Sequence, residues 1–155
     1  MKKNVLFISS EGGHLYELRQ IDFDRYNYSI VTEKTKSTYP LKKTYNNKIH
    51  YLIYGTRKRP IIYFFILIIN FFISLYLFLK INPDVVVSTG THTAVSMCYI
   101  AKIFKRKVIW IETFANRETA TLAGKIVYPI ADKFIVQWKD MKKVYKKAEY
   151  FGTLF

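Results

Sequence analysis

Short apolar runs recur along the chain, at residues 5–8, 28–31, 49–53, 85–87, 108–111 and 134–136. They are rich in Val and Ile, and several are continuous rather than alternating, which is the pattern of strands covered on both faces. Segments of helical length lie between them. Residues 93–104 place Ala94, Val95, Cys98 and Ala101 on one face, and residues 138–148 place Met141, Val144, Tyr145 and Ala148 on one face with Lys139, Lys142, Lys143, Lys146 and Lys147 opposite. Alternation of strand and helix predicts a parallel sheet with crossover helices, a single Rossmann-like α/β domain over residues 1–155. Residues 34–48 are polar, rich in Tyr and Lys and contain Pro40, and read as a surface loop.

One segment departs from this alternation. Residues 61–79 contain no charge, and Asn70 and Ser74 are their clearly polar members. About 20 apolar residues suffice to cross a bilayer, and Arg57, Lys58 and Arg59 precede the segment as a basic cluster. A span, however, would part strands that belong to one sheet. The favoured reading is an interfacial helix on the cytoplasmic membrane surface, with Ile66, Ile69 and Phe72 among its docking residues and the basic cluster on anionic lipid. A single span, or cover by a partner subunit, stays open.

Composition sharpens the choice of partner. The chain has 25 Lys and Arg against 11 Asp and Glu, a net charge of +14, with 13 Tyr and 12 Phe. Such a surface seeks anions, and its aromatic residues suit a membrane boundary or single-stranded nucleic acid. Nucleic acid would leave residues 61–79 without a use and is not expected as a partner. One cysteine, Cys98, permits no internal disulfide. The apolar run at the amino terminus breaks at Ser9-Ser10-Glu11, too early for a secretion signal, so a cytoplasmic location is expected.

Three turns carry candidate chemistry. The first strand runs into Ser10-Glu11-Gly12-Gly13-His14, and a glycine turn before a helix presents backbone N–H groups to an anion. Gly12 and Gly13 let a ligand approach, and His14 is placed to act as a general base or as a donor to phosphate; a plain tight turn is the alternative. The fourth run leads into Ser88-Thr89-Gly90-Thr91-His92-Thr93, whose hydroxyls can cap a helix or bind phosphate. The fifth leads into Glu112-Thr113-Phe114-Ala115-Asn116-Arg117. A carboxylate ending an apolar strand is costly without a partner; Glu112 can hold sugar hydroxyls or serve as a base, or can pair with Arg117 or His14. Zinc spacing, the Walker loop and the three-glycine dinucleotide pattern are all missing from the sequence.

These three turns, in this order, with the tail from Ala131 to Phe155, resemble the PssD/CpsF-type capsular polysaccharide proteins, relatives of the asparagine-linked glycosylation protein fourteen. The resemblance implies the N-terminal, acceptor-binding half of a GT-B glycosyltransferase. The implied partners are a separate donor-binding subunit, a polyprenyl-diphosphate-linked sugar acceptor and the membrane surface. It implies no cofactor in this chain, with the UDP-sugar held on the partner. His14 and Glu112 match the family's candidate catalytic positions; Ser10, Gly12, Gly13, Thr89, Gly90, Thr91, Asn116 and Arg117 are the implied acceptor and phosphate contacts. The second turn is poorer in glycine than in the single-chain relatives. A non-catalytic membrane adaptor for the transferase subunit is the alternative function.

Overall fold

The computed structural model of the chain describes residues 2–56 and 58–155. Their strands are β1 (Asn4–Ile8), β2 (Asn27–Lys34), β3 (Ile49–Ile53), β4 (Val85–Ser88), β5 (Lys107–Ile111), β6 (Lys133–Val136) and β7 (Glu149–Tyr150). They form one seven-stranded sheet in the order β3-β2-β1-β4-β5-β6-β7, and every pairing is parallel. The helices are α1 (Gly13–Leu18), α2 (Lys42–Tyr45), α3 (Pro60–Ile81), α4 (His92–Ile103) and α5 (Leu122–Val127). The chain starts in the middle of the sheet, builds outward to β3, and returns through α3 to lay β4 beside β1. The strand order therefore reverses between β1 and β4. Open α/β sheets bind ligands at such a reversal, outside the carboxyl ends of the strands.

The continuous apolar runs are explained by two cores. On one face Leu6, Ile8, Val86, Val108, Trp110 and Phe134 pack with Ala94, Met97, Cys98 and Ala101 of α4 and with Leu77 and Phe78 of α3. On the other, Val5, Phe7, Val87 and Ile111 pack with Leu15, Leu18 and Phe23. Side chains alternate between these faces along each strand, so every position meets an apolar layer. Burial pushes the Cys98 thiol up to about 12, the state of an inert core residue.

In α3 the usual arrangement is inverted. Between residues 61 and 79 the clearly polar Asn70 and Ser74 are buried, while Ile61, Phe64, Phe65, Ile69, Phe72 and Tyr76 are exposed. Asn70 Nδ2 donates to the Ile53 carbonyl (2.8 Å) and Oδ1 accepts from Ile53 N (2.9 Å), which stitches the helix to edge strand β3. The helix is 22 residues long and apolar enough to cross a membrane. Both of its ends nevertheless join strands of the same sheet.

Four sequence expectations are corrected. Residues 138–148 form a 3₁₀ turn, Lys139–Lys143, followed by irregular winding rather than an α-helix. The lysines at i, i+3 and i+4 repel one another along a helix, and the buried Met141, Tyr145 and Ala148 are reached without one; Val144 is exposed. A seventh strand, β7, was not anticipated because it is two residues long. Ile66 is only partly exposed, its Cγ2 lying 3.1 Å from where a Cβ on Gly55 would stand, whereas Ile69 and Phe72 are exposed. Lys34 ends β2, and residues 35–48, expected as a surface loop, stay largely at the surface but are wound into short helical turns that include α2; Thr38 within them is buried and donates to the Glu33 carbonyl.

Candidate functional site

The loops after β1 and β4 meet at the strand-order reversal. Ser10 N donates to the Gly90 carbonyl at 3.2 Å. His14 and Thr89 are tied reciprocally: Thr89 Oγ1 donates to the His14 carbonyl (2.7 Å), and His14 Nδ1 donates to the Thr89 carbonyl (2.8 Å). A carbonyl only accepts, so Nδ1 carries the proton and, in the neutral ring, Nε2 holds the lone pair. Two glycines make this geometry possible. Gly12 turns into α1 at φ 77°, a conformation costly for any residue with a Cβ. Gly90 has φ 104°, and a Cβ there would stand 3.0 Å from His14 Nδ1. The imidazole therefore lies against bare backbone.

His14 lines a cleft of about 170 Å³ with Thr89, Gly90, Thr91, His92, Glu112 and the start of α5. Glu112 forms its inner wall and is 1% exposed. Its Oε2 accepts from Trp110 Nε1 (2.9 Å) and its Oε1 from Thr121 N (3.2 Å). The ion pairs considered for it, to Arg117 or His14, are not what holds it. A Cβ on Gly124 would collide with Glu112 Oε2, the Tyr145 hydroxyl and Thr121 Oγ1, so these three groups converge in the space that a glycine leaves. Burial and the Glu112 charge push the Tyr145 phenol upward.

The remaining expected contacts divide. Ser10, Gly12, Gly13, Thr89, Gly90 and Thr91 gather at or beside the cleft. Asn116 and Arg117 lie outside it. Asn116 Nδ2 donates to the Thr119 carbonyl (3.1 Å), and the Arg117 guanidinium stacks 4.0 Å over the Trp138 ring, in a separate surface hollow with Glu118, Asp140 and Lys143. Lys58 and Arg59 lead into α3 and are exposed; Arg57 lies outside the described residues.

Two buried carboxylates escaped the sequence reading. Glu17 on α1 accepts from Thr113 Oγ1 and Gln137 Nε2, both at 2.8 Å, and braces the loop after β5. Glu33, at the carboxyl end of β2, accepts from Thr93 Oγ1 at 2.9 Å, and burial pushes its carboxyl above the ordinary range. Glu33 carried the same signal as Glu112, an acid closing an apolar strand. Glu17 carried a weaker one, an acid between Leu15 and Leu18 on the inward side of a short helix.

Comparison with known proteins bears on the fold and the family. The Rickettsia bellii UDP-N-acetylglucosamine 2-epimerase superposes with a TM-score of 0.73 over 99% of this chain and 46% of its own, at 15% identity. The Acinetobacter baumannii MurG superposes with a TM-score of 0.71 over 89% of this chain and 42% of its own, at 18% identity. These likenesses establish the fold, and the chain spans less than half the length of either protein. In sequence, the Debaryomyces hansenii UDP-N-acetylglucosamine transferase subunit ALG14 is 31% identical over 97% of this chain and 76% of its own length. The Schizosaccharomyces pombe subunit alg14 is 41% identical over 46% of this chain, and the match spans only 37% of that protein. The family profile described as "Oligosaccharide biosynthesis protein Alg14 like" matches residues 5–154, and the chain belongs to that family.

Proposed function

We propose that this chain is the acceptor-binding, membrane-docking subunit of a two-component UDP-sugar glycosyltransferase. Its acceptor is a polyprenyl-diphosphate-linked saccharide in capsule or exopolysaccharide synthesis. The observation that carries the reading is the cleft at the strand-order reversal, where His14 is pinned through Nδ1 against Gly90. In the reaction the acceptor hydroxyl gives its proton to His14 Nε2. The oxygen forms the new bond to the anomeric carbon, and the sugar–phosphate bond breaks with its electron pair leaving on UDP. A positioned base of this kind contributes about 10²–10⁴-fold. Between the two candidate bases the geometry favours His14, because Glu112 is almost fully buried and already engaged by Trp110 and Thr121.

One Rossmann unit supplies one wall of a reaction cleft, and transfer needs donor and acceptor held together. The relatives named as subunits of a UDP-N-acetylglucosamine transferase support a donor site on a second protein. The purified chain is expected to give no transfer alone and to do so when its donor-binding partner is added. Sustained turnover by the chain alone would overturn the reading.

The inverted polarity of α3 supports membrane docking. Water is a poor solvent for the exposed Ile and Phe side chains, and its buried Asn70 is bonded within the protein. Lys58, Arg59 and Lys80 flank the apolar surface and suit anionic headgroups on the cytoplasmic leaflet. Replacing Phe65, Ile69 and Phe72 with Glu is expected to move the protein from the membrane pellet to the soluble fraction with its fold intact. Retention in the pellet after high-salt washing would refute docking by this face.

A further inference from the structure

Tyr145 has no part in the scheme above. It follows the 3₁₀ turn Lys139–Lys143, is 2% exposed, and packs its ring against Phe134 at 4.4 Å and Tyr128 at 4.9 Å between centroids. Phenylalanine would pack there equally well, and the hydroxyl adds nothing to it. That hydroxyl is buried and makes no hydrogen bond to any described residue, and an unpaired polar group in a core is costly. It stands behind the inner wall of the cleft. A Cβ on Gly124 would meet Tyr145 Oη at 2.5 Å and Glu112 Oε2 closer still, so the phenol and that carboxyl oxygen converge on one notch. Burial, and then the Glu112 charge, push the phenol upward, so it keeps its proton and is a donor near neutral pH.

Glu112 is held by two N–H donors, Trp110 Nε1 on Oε2 and Thr121 N on Oε1. A carboxylate offers about four lone-pair sites. A phenol on Oε2 takes a third and leaves one, and Glu112 lines the cleft from which that site is reached. We propose that Tyr145 is a positioning residue for the acceptor: its phenol donates to Glu112 Oε2 and fixes the carboxylate so that the remaining site accepts a single O–H or N–H of the acceptor sugar. The inference rests on the acceptor-binding reading of the cleft. A carboxylate repels a phosphate at contact range, so the sugar and not its diphosphate lies against the inner wall.

The chain has two tryptophans, so the full ¹⁵N-labelled protein in phosphatidylcholine nanodiscs gives two indole signals, read by NMR without ligand or turnover. Trp110 Nε1 shares Glu112 Oε2 with the phenol, whereas Trp138 Nε1 donates to the Phe114 carbonyl. Tyr145→Phe is expected to shift the Trp110 signal and to leave the Trp138 signal in place. An unmoved Trp110 signal overturns the proposal. In the complex with the donor subunit, with a polyprenyl-diphosphate-linked monosaccharide as acceptor, Tyr145→Phe is expected to raise the acceptor KM about 10-fold at nearly constant kcat. A residue that acts through Glu112 has nothing further to lose once that carboxylate is gone. In a Glu112→Gln background, Tyr145→Phe is therefore expected to change KM by less than about 2-fold. An unchanged KM, a fall in kcat at constant KM, or equal effects of Tyr145→Phe in the two backgrounds overturns the proposal. If glycosyl transfer is not the reaction, the indole shift still decides whether Tyr145 serves Glu112. If Glu112→Gln does not fold, the indole shift and the KM of Tyr145→Phe carry the test, since that variant keeps the ring packing.

Discussion

The two edges of the sheet handle acidic residues in opposite ways. At the amino-terminal edge Asp84 faces Arg106 at 3.9 Å, and Asp132 binds Lys102 (2.9 Å) and Lys107 (3.0 Å), all partly in water. At the carboxyl edge Glu17, Glu33 and Glu112 are 5%, 2% and 1% exposed. Their partners are hydroxyls, amides, an indole and an imidazole rather than lysine or arginine. Pairs of the first kind add tenths of a kcal/mol to about one each. Carboxylates of the second kind are costly to bury, and stability alone does not account for three of them along one edge. They fix the loops that carry His14, Thr89, Gly90 and His92. The contrast separates an edge that holds the fold from one that carries the proposed site.

The largest expected effect lies at the buried edge. A methyl group at Gly124 would be driven into Glu112, Tyr145 and Thr121. Overpacking costs about 1–3 kcal/mol, and displacing a buried carboxylate from its donors costs about 1–3 more. Gly124→Ala is therefore expected to lose about 2–6 kcal/mol in urea denaturation and most transfer activity in the assembled complex. Adding Tyr145→Phe removes one of the three obstacles and is expected to restore part of the loss. A Gly124→Ala protein as stable as the parent would show that these groups do not converge in solution.

Next comes His14→Ala, which tests whether that edge holds a site at all. Turnover at saturating acceptor is expected to fall by at least ~100-fold, about 2.7 kcal/mol in the barrier. The Thr89 carbonyl loses its donor, so stability should fall by no more than ~1.5 kcal/mol. Partner binding should persist. Unchanged turnover and acceptor affinity would reduce His14 to a turn residue and leave the adaptor role standing.

Much of this contrast was legible in the sequence. Continuous Val and Ile runs gave the strands, because a strand covered on both faces has no alternation to lose. Gly-Gly-His and Thr-Gly-Thr marked two loops because a positive φ and a close ring contact both demand glycine. The convergence of Trp110, Thr121, Gly124 and Tyr145 on Glu112 was not legible, since these residues lie up to 35 positions apart and only tertiary packing joins them. Nor was the partial burial of Ile66: in a segment apolar all round, hydrophobicity does not say which face is inside. Asn70 and Ser74 did hold that information, as the polar residues that a lipid-facing surface would exclude. Residues 138–148 misled because the spacing of Met141, Tyr145 and Ala148 is helical while the lysines between them oppose a helix.

The smallest expected effect belongs to the ordinary edge and carries a pH signature. Burial alone would raise the Asp132 carboxyl, but hydrogen bonds from Lys102, the Val108 amide and Lys107 outweigh it and hold the group at about 2 against an ordinary 3.8. A carboxyl depressed in the folded state stabilises it above the unfolded value, and the contribution fades as pH falls through the folded one. The relevant window therefore runs from about pH 4 down to about pH 2. Each pKa unit is about 1.4 kcal/mol, and partial solvent access reduces the total to ~1–2 kcal/mol. Asp132→Asn is expected to be less stable than the parent by that amount at pH 7. The gap should narrow below pH 4 and close near pH 2, with kcat and acceptor KM unchanged. The difference between the two proteins is the quantity to follow, because the net charge of +14 destabilises both in acid. A gap that stayed constant down to pH 2 would mean that Asp132 stabilises by shape rather than by charge. A change in kcat would mean that the two edges are coupled, and the division of labour between them would fail.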